Sequence, residues 1–229
     1  MSPVLLTQAM QVIYRTPRLP EASGPRQGRS GSGPVLKVLI LGDSSAAGVG
    51  VKHQSQALSG QLTRNLGAAF SVEWRLVAQT GLTTKNTPKF LNARLYGKFD
   101  ICVTALGVND ATRLVSPTKW ISQTMALHDL LTCNHRIKRI YVTAMPPLAR
   151  FAALPNPLAR VLGDHATLMS DALESRLLGD EIRQIVTPNW GHDPAMMALD
   201  GFHPGAATYA QWGDHMARHI IDDLETNPI

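Results

Sequence analysis

The chain has 229 residues, 44% of them hydrophobic, 17% charged and 6% aromatic, with a formal net charge of +5 at pH 7. That length and apolar fraction suit one ordinary core plus a tail and exclude wholesale disorder; no run approaches the ~18 uninterrupted apolar residues of a membrane-spanning helix. Cys102 and Cys133 are too few for a disulfide scaffold and lack zinc-finger spacing. Left unpaired they suit a reducing compartment, so a cytoplasmic location is the expectation.

The positive charge is gathered at one end. Residues 1–37 hold Arg15, Arg18, Arg26, Arg29 and Lys37 against Glu21, which leaves the remainder close to neutral. Basic charge confined to an arm acts as a solvated tail or an anchor for an anionic surface, not as a sequence-reading groove, so no nucleic-acid partner is expected.

In chain order, Met1–Tyr14 forms a short amphipathic helix with Leu5, Ala9, Val12 and Ile13 on one face. No basic residue precedes it, and Thr7, Gln8 and Gln11 interrupt its apolar run, which makes it a poor secretory signal. Residues 21–34 are rich in Gly, Ser and Pro and read as linker, giving an N-terminal arm over 1–34 and a domain over 35–229. The arm's helix could dock on its own domain, on a second copy, or through residues 1–20 on a membrane surface.

Val35–Leu41 is a near-continuous apolar run, as in a strand buried on both faces. Ser55–Phe70 has helical spacing, Val72–Val77 reads as a strand, and Lys85–Leu95 as a helix. Ile101–Leu106 is a third strand, and Pro117–Thr132 a helix with proline at its start. Ile140–Ala144 and Ile182–Val186 are the fourth and fifth strands, and Pro204–Leu224 is a closing helix. This alternation implies an α/β fold with a mostly parallel five-stranded sheet covered on both faces. In such sheets chemistry collects at the carboxyl ends of the strands.

Unusual polar residues fall at those ends: Gly42-Asp43-Ser44-Ser45, Gln79-Thr80-Gly81-Leu82, Gly107-Val108-Asn109-Asp110, and, before the last helix, Asp200-Gly201-Phe202-His203-Pro204. Ester hydrolysis needs a nucleophile, a base, a group that orients the base, and donors for an oxyanion. Ser44, on a sharp strand-to-helix turn, is the candidate nucleophile, with His203 as base and Asp200 as its orienter. The backbone N–H groups of Ser44 and Gly81 and the side-chain amide of Asn109 are the candidate oxyanion donors. Asp43 and Asp110 read as turn-holding residues. His192-Asp193 is a weaker His/Asp pair. His215 and His219 have metal-ligand spacing but no third ligand, so no metal site is expected, and Gly42–Gly50 lacks the Gly-Lys-Ser/Thr ending of a phosphate loop.

The four blocks resemble those of the SGNH hydrolases, the broad GDSL-type esterase and lipase family, whose letters match Ser44, Gly81, Asn109 and His203 in order. Ser45 stands where many members carry Leu, and Ala46 stands where the Gly-x-Ser-x-Gly elbow of a different hydrolase fold needs glycine. The resemblance implies a flavodoxin-like three-layer α/β/α sandwich and hydrolysis of esters or thioesters without a metal or other cofactor. Thioesterase, lysophospholipase, arylesterase and carbohydrate acetylesterase activities share these blocks within the superfamily.

For the substrate, Met145-Pro146-Pro147-Leu148 follows the fourth strand, and Ala149–Leu162 adds further apolar residues. Pro146, Leu148 and Phe151 are the candidates for an acyl pocket or lid. Aromatic residues suited to stacking on a sugar are sparse, Trp190 being the nearest, so a small or medium acyl ester is expected. A carbohydrate acetylesterase and a catalytically silent binding module on the same scaffold are the alternatives.

Overall fold

The computed structural model describes residues 3–190 and 196–229. Six strands form one sheet: β1 (Gln27–Ser30), β2 (Val35–Gly42), β3 (Ser71–Ala78), β4 (Ile101–Ala105), β5 (Arg139–Thr143) and β6 (Arg183–Val186), in spatial order β1-β3-β2-β4-β5-β6. β2 to β6 run parallel, and β1 is an antiparallel edge paired with β3. Leaving β1 aside, the chain moves one way from β2 to β3 and the other way to β4. The strand order therefore reverses beside β2, where open α/β sheets form their binding crevice.

The central strands are largely buried on both faces, and their two-residue period divides them between two helical layers. Leu36, Val38 and Ile40 of β2 point into a core shared with α2 (Leu58–Leu66) and α7 (Ala206–Thr226), while Leu39 and Leu41 point into the other. That second core takes in α3 (Thr87–Asn92), α5 (Pro117–His135) and α6 (Leu158–Leu177). Each fully buried Leu or Ile contributes about 1.5–3 kcal/mol of transfer free energy. The three-layer α/β/α sandwich implied by the resemblance is the fold found, its sheet having a sixth strand, β1, beside the five expected. Among the described residues, no helix is long and apolar enough to cross a membrane.

Several elements differ from the sequence reading. The segment read as linker contributes β1, whose mostly exposed residues Gln27, Gly28 and Arg29 are held by backbone pairing rather than by an apolar face. Residues just before it strap the sheet's carboxyl end. Glu21 accepts hydrogen bonds from the Thr80 amide (2.6 Å) and hydroxyl (2.8 Å), and Ala22 N–H donates to Ala47 O (3.2 Å). The buried amide of Gln54 donates to both Ala22 O and Ala47 O. Residues 158–162, read as part of a pocket loop, belong instead to the 20-residue helix α6, which the sequence reading omitted. A short helix α4 (Val108–Thr112) follows β4.

The arm contains a helix, α1 (Pro3–Arg15), that packs Leu5, Ala9 and Val12 against the α5/α6 core, but Ile13, read as sharing their face, points outward and is exposed. Gln8 fixes it in place, donating to Asn156 O and accepting from Leu158 N–H (3.0 Å).

Candidate active site

In register, Gly42 of β2 lies beside Ala78 of β3 and Ala105 of β4, so the segments leaving these strands emerge side by side. Ser44 is followed by a series of turns through residue 50 and not directly by a helix. Ala47 N–H returns to Asp43 O (2.9 Å) and Val49 N–H to Ser44 O (3.0 Å). The chain then turns through Gly48 and Gly50, both at positive φ (83° and 104°), a conformation that stops a helix from propagating. The helix expected from Ser55 accordingly begins at Leu58. Tyr209 of α7 braces the turn from beneath, its hydroxyl lying 2.7 Å from Val49 O and 2.9 Å from Ser45 O.

His203 arrives on the loop before α7. Its Nε2 is 2.8 Å from Ser44 Oγ and its Nδ1 is 2.6 Å from Asp200 Oδ2. A carboxylate only accepts, so Nδ1 carries the proton and Nε2 presents its lone pair to the Ser44 hydroxyl. The other oxygen of Asp200 accepts from the amides of Phe202 (3.0 Å) and His203 (2.9 Å), which fixes the three-residue turn. Burial alone would raise the Asp200 pKa. The bonds from the His203 ring and the two amides outweigh it, and the carboxyl titrates below its usual range. Phe202 stacks edge-on against the His203 ring (5.3 Å between centroids), and Phe151 against Phe202 (5.0 Å). This arrangement can move a proton from Ser44 Oγ to His203 Nε2 while holding the resulting imidazolium beside a carboxylate.

Asn109, on α4, donates from Nδ2 to Asp43 Oδ2 and to Leu82 O, both at 3.1 Å. Asp43 ties the Ser44 turn to it, its other oxygen accepting from the Ser45 amide (3.0 Å) and hydroxyl (2.8 Å). Burial raises the Asp43 pKa even against those bonds. Asp110 holds the neighbouring segment, accepting from the Thr84 amide (3.0 Å) and hydroxyl (2.9 Å), while Trp120 Nε1 donates to that hydroxyl (3.1 Å). Gly81 adopts φ of +80° in this segment, a left-handed turn suited to glycine. Gly81 is not among the residues that line the cavity over Ser44.

That cavity measures about 120 Å³. Ser44, Asn109 and His203 lie on it together with Leu106, Val108, Met145, Pro146, Phe151 and Phe202, and Trp190, Met196, Met197, Thr208 and Trp212 also line it. Pro146 and Phe151 thus border the cavity. Leu148 does not: it is fully buried in the α5/α6 core, because a one-turn helix at Leu148–Arg150 rotates it inward. Met196, Met197, Thr208 and Trp212 were missed by the sequence reading, although Thr208 and Trp212 share the i, i+4 spacing of one face of α7. His192 and Asp193 lie outside the described residues. His219 is engaged elsewhere, its Nε2 lying 2.8 Å from Gln184 Oε1.

Residues 40–211 match the profile of the GDSL-like Lipase/Acylhydrolase family, and the chain belongs to that family. It is a serine hydrolase that acts on small-molecule esters. Solved structures of similar fold include a carbohydrate esterase family 2 enzyme from Corynascus thermopiles (Myceliophthora fergusii), at 18% identity over 90% of this chain and 69% of that one, TM-score 0.66. The lipase Lip_vut3 from a goat rumen metagenome matches at 14% identity over 80% of this chain and 96% of that one, TM-score 0.67. A putative arylesterase from Agrobacterium tumefaciens str. C58 matches at 17% identity over 82% of this chain and all (100%) of that one, TM-score 0.64. At these identities the likeness speaks for the fold. A comparison with curated protein sequences finds no match.

Proposed function

We propose that the enzyme hydrolyses small to medium acyl esters through an acyl-enzyme on Ser44, with His203 as general base and Asp200 as the group that orients it. The observation that carries this reading is the unbroken chain Asp200 Oδ2, His203 Nδ1, His203 Nε2, Ser44 Oγ, which ends in a largely apolar cavity. Ser44 Oγ attacks the carbonyl carbon as its proton passes to Nε2. The tetrahedral oxyanion takes hydrogen bonds from the Ser44 amide and from Asn109 Nδ2, each worth about 3 kcal/mol in the transition state; Gly81, which does not line the cavity, has no donor role. For Asn109 this means exchanging one of its two 3.1 Å ground-state bonds for the stronger anionic acceptor. His203 then protonates the departing alkoxide, and water activated at the same nitrogen releases the acid. Leu106, Met145 and Pro146 offer an acyl group apolar surface, and the same site suits a thioester or lysophospholipid acyl group.

A second reading, a carbohydrate acetylesterase, draws on Trp190. It lines the cavity and stacks edge-on against Trp212 at 5.4 Å, presenting an aromatic surface to a bound ligand.

Burst kinetics with p-nitrophenyl esters from acetate to laurate test the mechanism. A stoichiometric burst that vanishes in Ser44→Ala is expected, with the chain-length optimum at the short end. A burst that survives in a folded Ser44→Ala protein would overturn the assignment. Acetylated xylo-oligosaccharides turned over faster than the simple esters would favour the second reading.

A further inference from the structure

We propose that the outward face of α1 docks on an anionic lipid bilayer. This goes beyond ester hydrolysis and does not rest on the roles assigned to Ser44, His203 or Asp200. Leu5, Ala9 and Val12 pack on the domain and Gln8 is bonded on both sides, so α1 is seated. Yet its other side is apolar too. Leu6, Met10, Ile13 and Tyr14 share one side at helical spacing and are between 51% and 92% exposed, with Val4 exposed beyond the polar Thr7 and Gln11. A seated surface helix ordinarily turns charge outward, and a cluster of large apolar residues facing water marks a docking face.

Charge identifies the occupant. Residues 1–20 contain no Asp or Glu, while Arg15 and Arg18 follow the apolar face directly and share a shallow cleft with Met10, Ile13 and Tyr14. An apolar helical face, a tyrosine at its end and basic residues beside it together match the acyl boundary, the headgroup level and the negative surface of a bilayer. A second copy of the chain fits less well, since its residues 1–20 carry no acidic side chain to pair with Arg15 and Arg18 across a two-fold contact.

The surrounding structure connects the helix to the cavity wall. Gln8 bonds Asn156 and Leu158, in the segment that supplies Phe151 to the cavity wall. The same segment is joined by Ala153 N–H to Gly201 O (3.0 Å), in the loop that carries Asp200 and His203. On that loop Leu199 is 96% exposed, a further apolar side chain facing outward.

Vesicle flotation of the full chain tests the proposal, using phosphatidylcholine alone and phosphatidylcholine with roughly 30% phosphatidylglycerol, at roughly 50 and 500 mM salt. The protein should float with the anionic vesicles at low salt and be released at high salt. Arg15→Gln with Arg18→Gln should weaken partitioning about 30-fold, and Met10→Ser with Ile13→Ser should abolish it. Both double variants should keep wild-type melting and hydrolysis of a soluble short-chain ester, which shows that fold and site are intact. Absence of binding, equal binding to neutral vesicles, or undiminished binding by the folded variants would overturn the proposal. So would a solution dimer that depends on Met10 and Ile13 in place of lipid binding. A protein that floats but hydrolyses no ester would overturn the reaction reading alone.

Discussion

Replacing Asp200 with Asn tests the hydrogen-bond chain at its buried end with a near-isosteric change. The Asp200 oxygen that accepts from the Phe202 and His203 amides can remain an amide oxygen, so the loop keeps its backbone contacts. The other oxygen, 2.6 Å from His203 Nδ1, becomes an NH2 group. Two donors cannot face each other there, so the ring proton moves to Nε2, which then donates toward Ser44 Oγ and can no longer accept its proton. The loss should approach 10⁴-fold in kcat, about 5.5 kcal/mol. A charged hydrogen bond accounts for about 1.5–3 kcal/mol of this, and the wrong tautomer and unshielded imidazolium account for the rest. Stopped-flow hydrolysis of p-nitrophenyl acetate, with thermal melting as the control for folding, measures it. A folded variant within about tenfold of wild type would refute the reasoning, because it would mean that another group orients His203. The pH dependence has a definite sign. A carboxyl whose folded pKa is depressed stabilises the loop above its unfolded pKa, and that contribution is lost as pH falls through the folded value. Wild type should therefore hold this loop well into the acid range, and the Asn variant should lack that dependence.

Two further substitutions separate chemistry from packing. Asn109→Ala removes an oxyanion donor and should lower kcat about 10²–10³-fold with KM little changed, measured by steady-state kinetics; a kcat within about threefold of wild type would remove Asn109 from the mechanism. Gly42→Ala places a Cβ 2.5 Å from both Ala105 O and Ala46 Cβ, overpacking that should cost about 1–3 kcal/mol and lower Tm by roughly 5 °C; calorimetry showing an unchanged Tm would contradict the close approach of β2 and β4.

The sheet was legible because strands buried on both faces write themselves as apolar runs, and Val35–Leu41 and Ile101–Leu106 could belong to little else. The candidate site was legible because its residue types fall at strand ends, where a parallel sheet gathers them. β1 was not: Gln-Gly-Arg-Ser has no apolar period, and its strand conformation comes from backbone pairing with β3, a tertiary fact. Leu148 shows the same limit on a smaller scale. In Met145-Pro146-Pro147-Leu148 hydrophobicity marks residues that avoid water, but the backbone path decides which of them meet the cavity and which meet the core. α6 is a different case. Leu158, Leu162, Ala166, Met169, Leu173 and Leu177 carry a clear helical period along its buried face, but Pro155 and Pro157 just before it carry a loop signal that masks its start.

The strap around Glu21 and Ala22 divides the first thirty residues into two parts with different fates. Up to Arg18 the chain touches the domain through one face of α1 and is otherwise exposed. From Glu21 on, it holds the Thr80 segment, the turn after Ser44 and the open edge of β3. A nick at residues 16–20 would leave α1 held only by its packing and the Gln8 bonds, with the hydrolase still assembled. Trimming the chain to residue 35 would instead unbuckle the turns on both sides of Ser44, although none of the removed residues reaches the cavity.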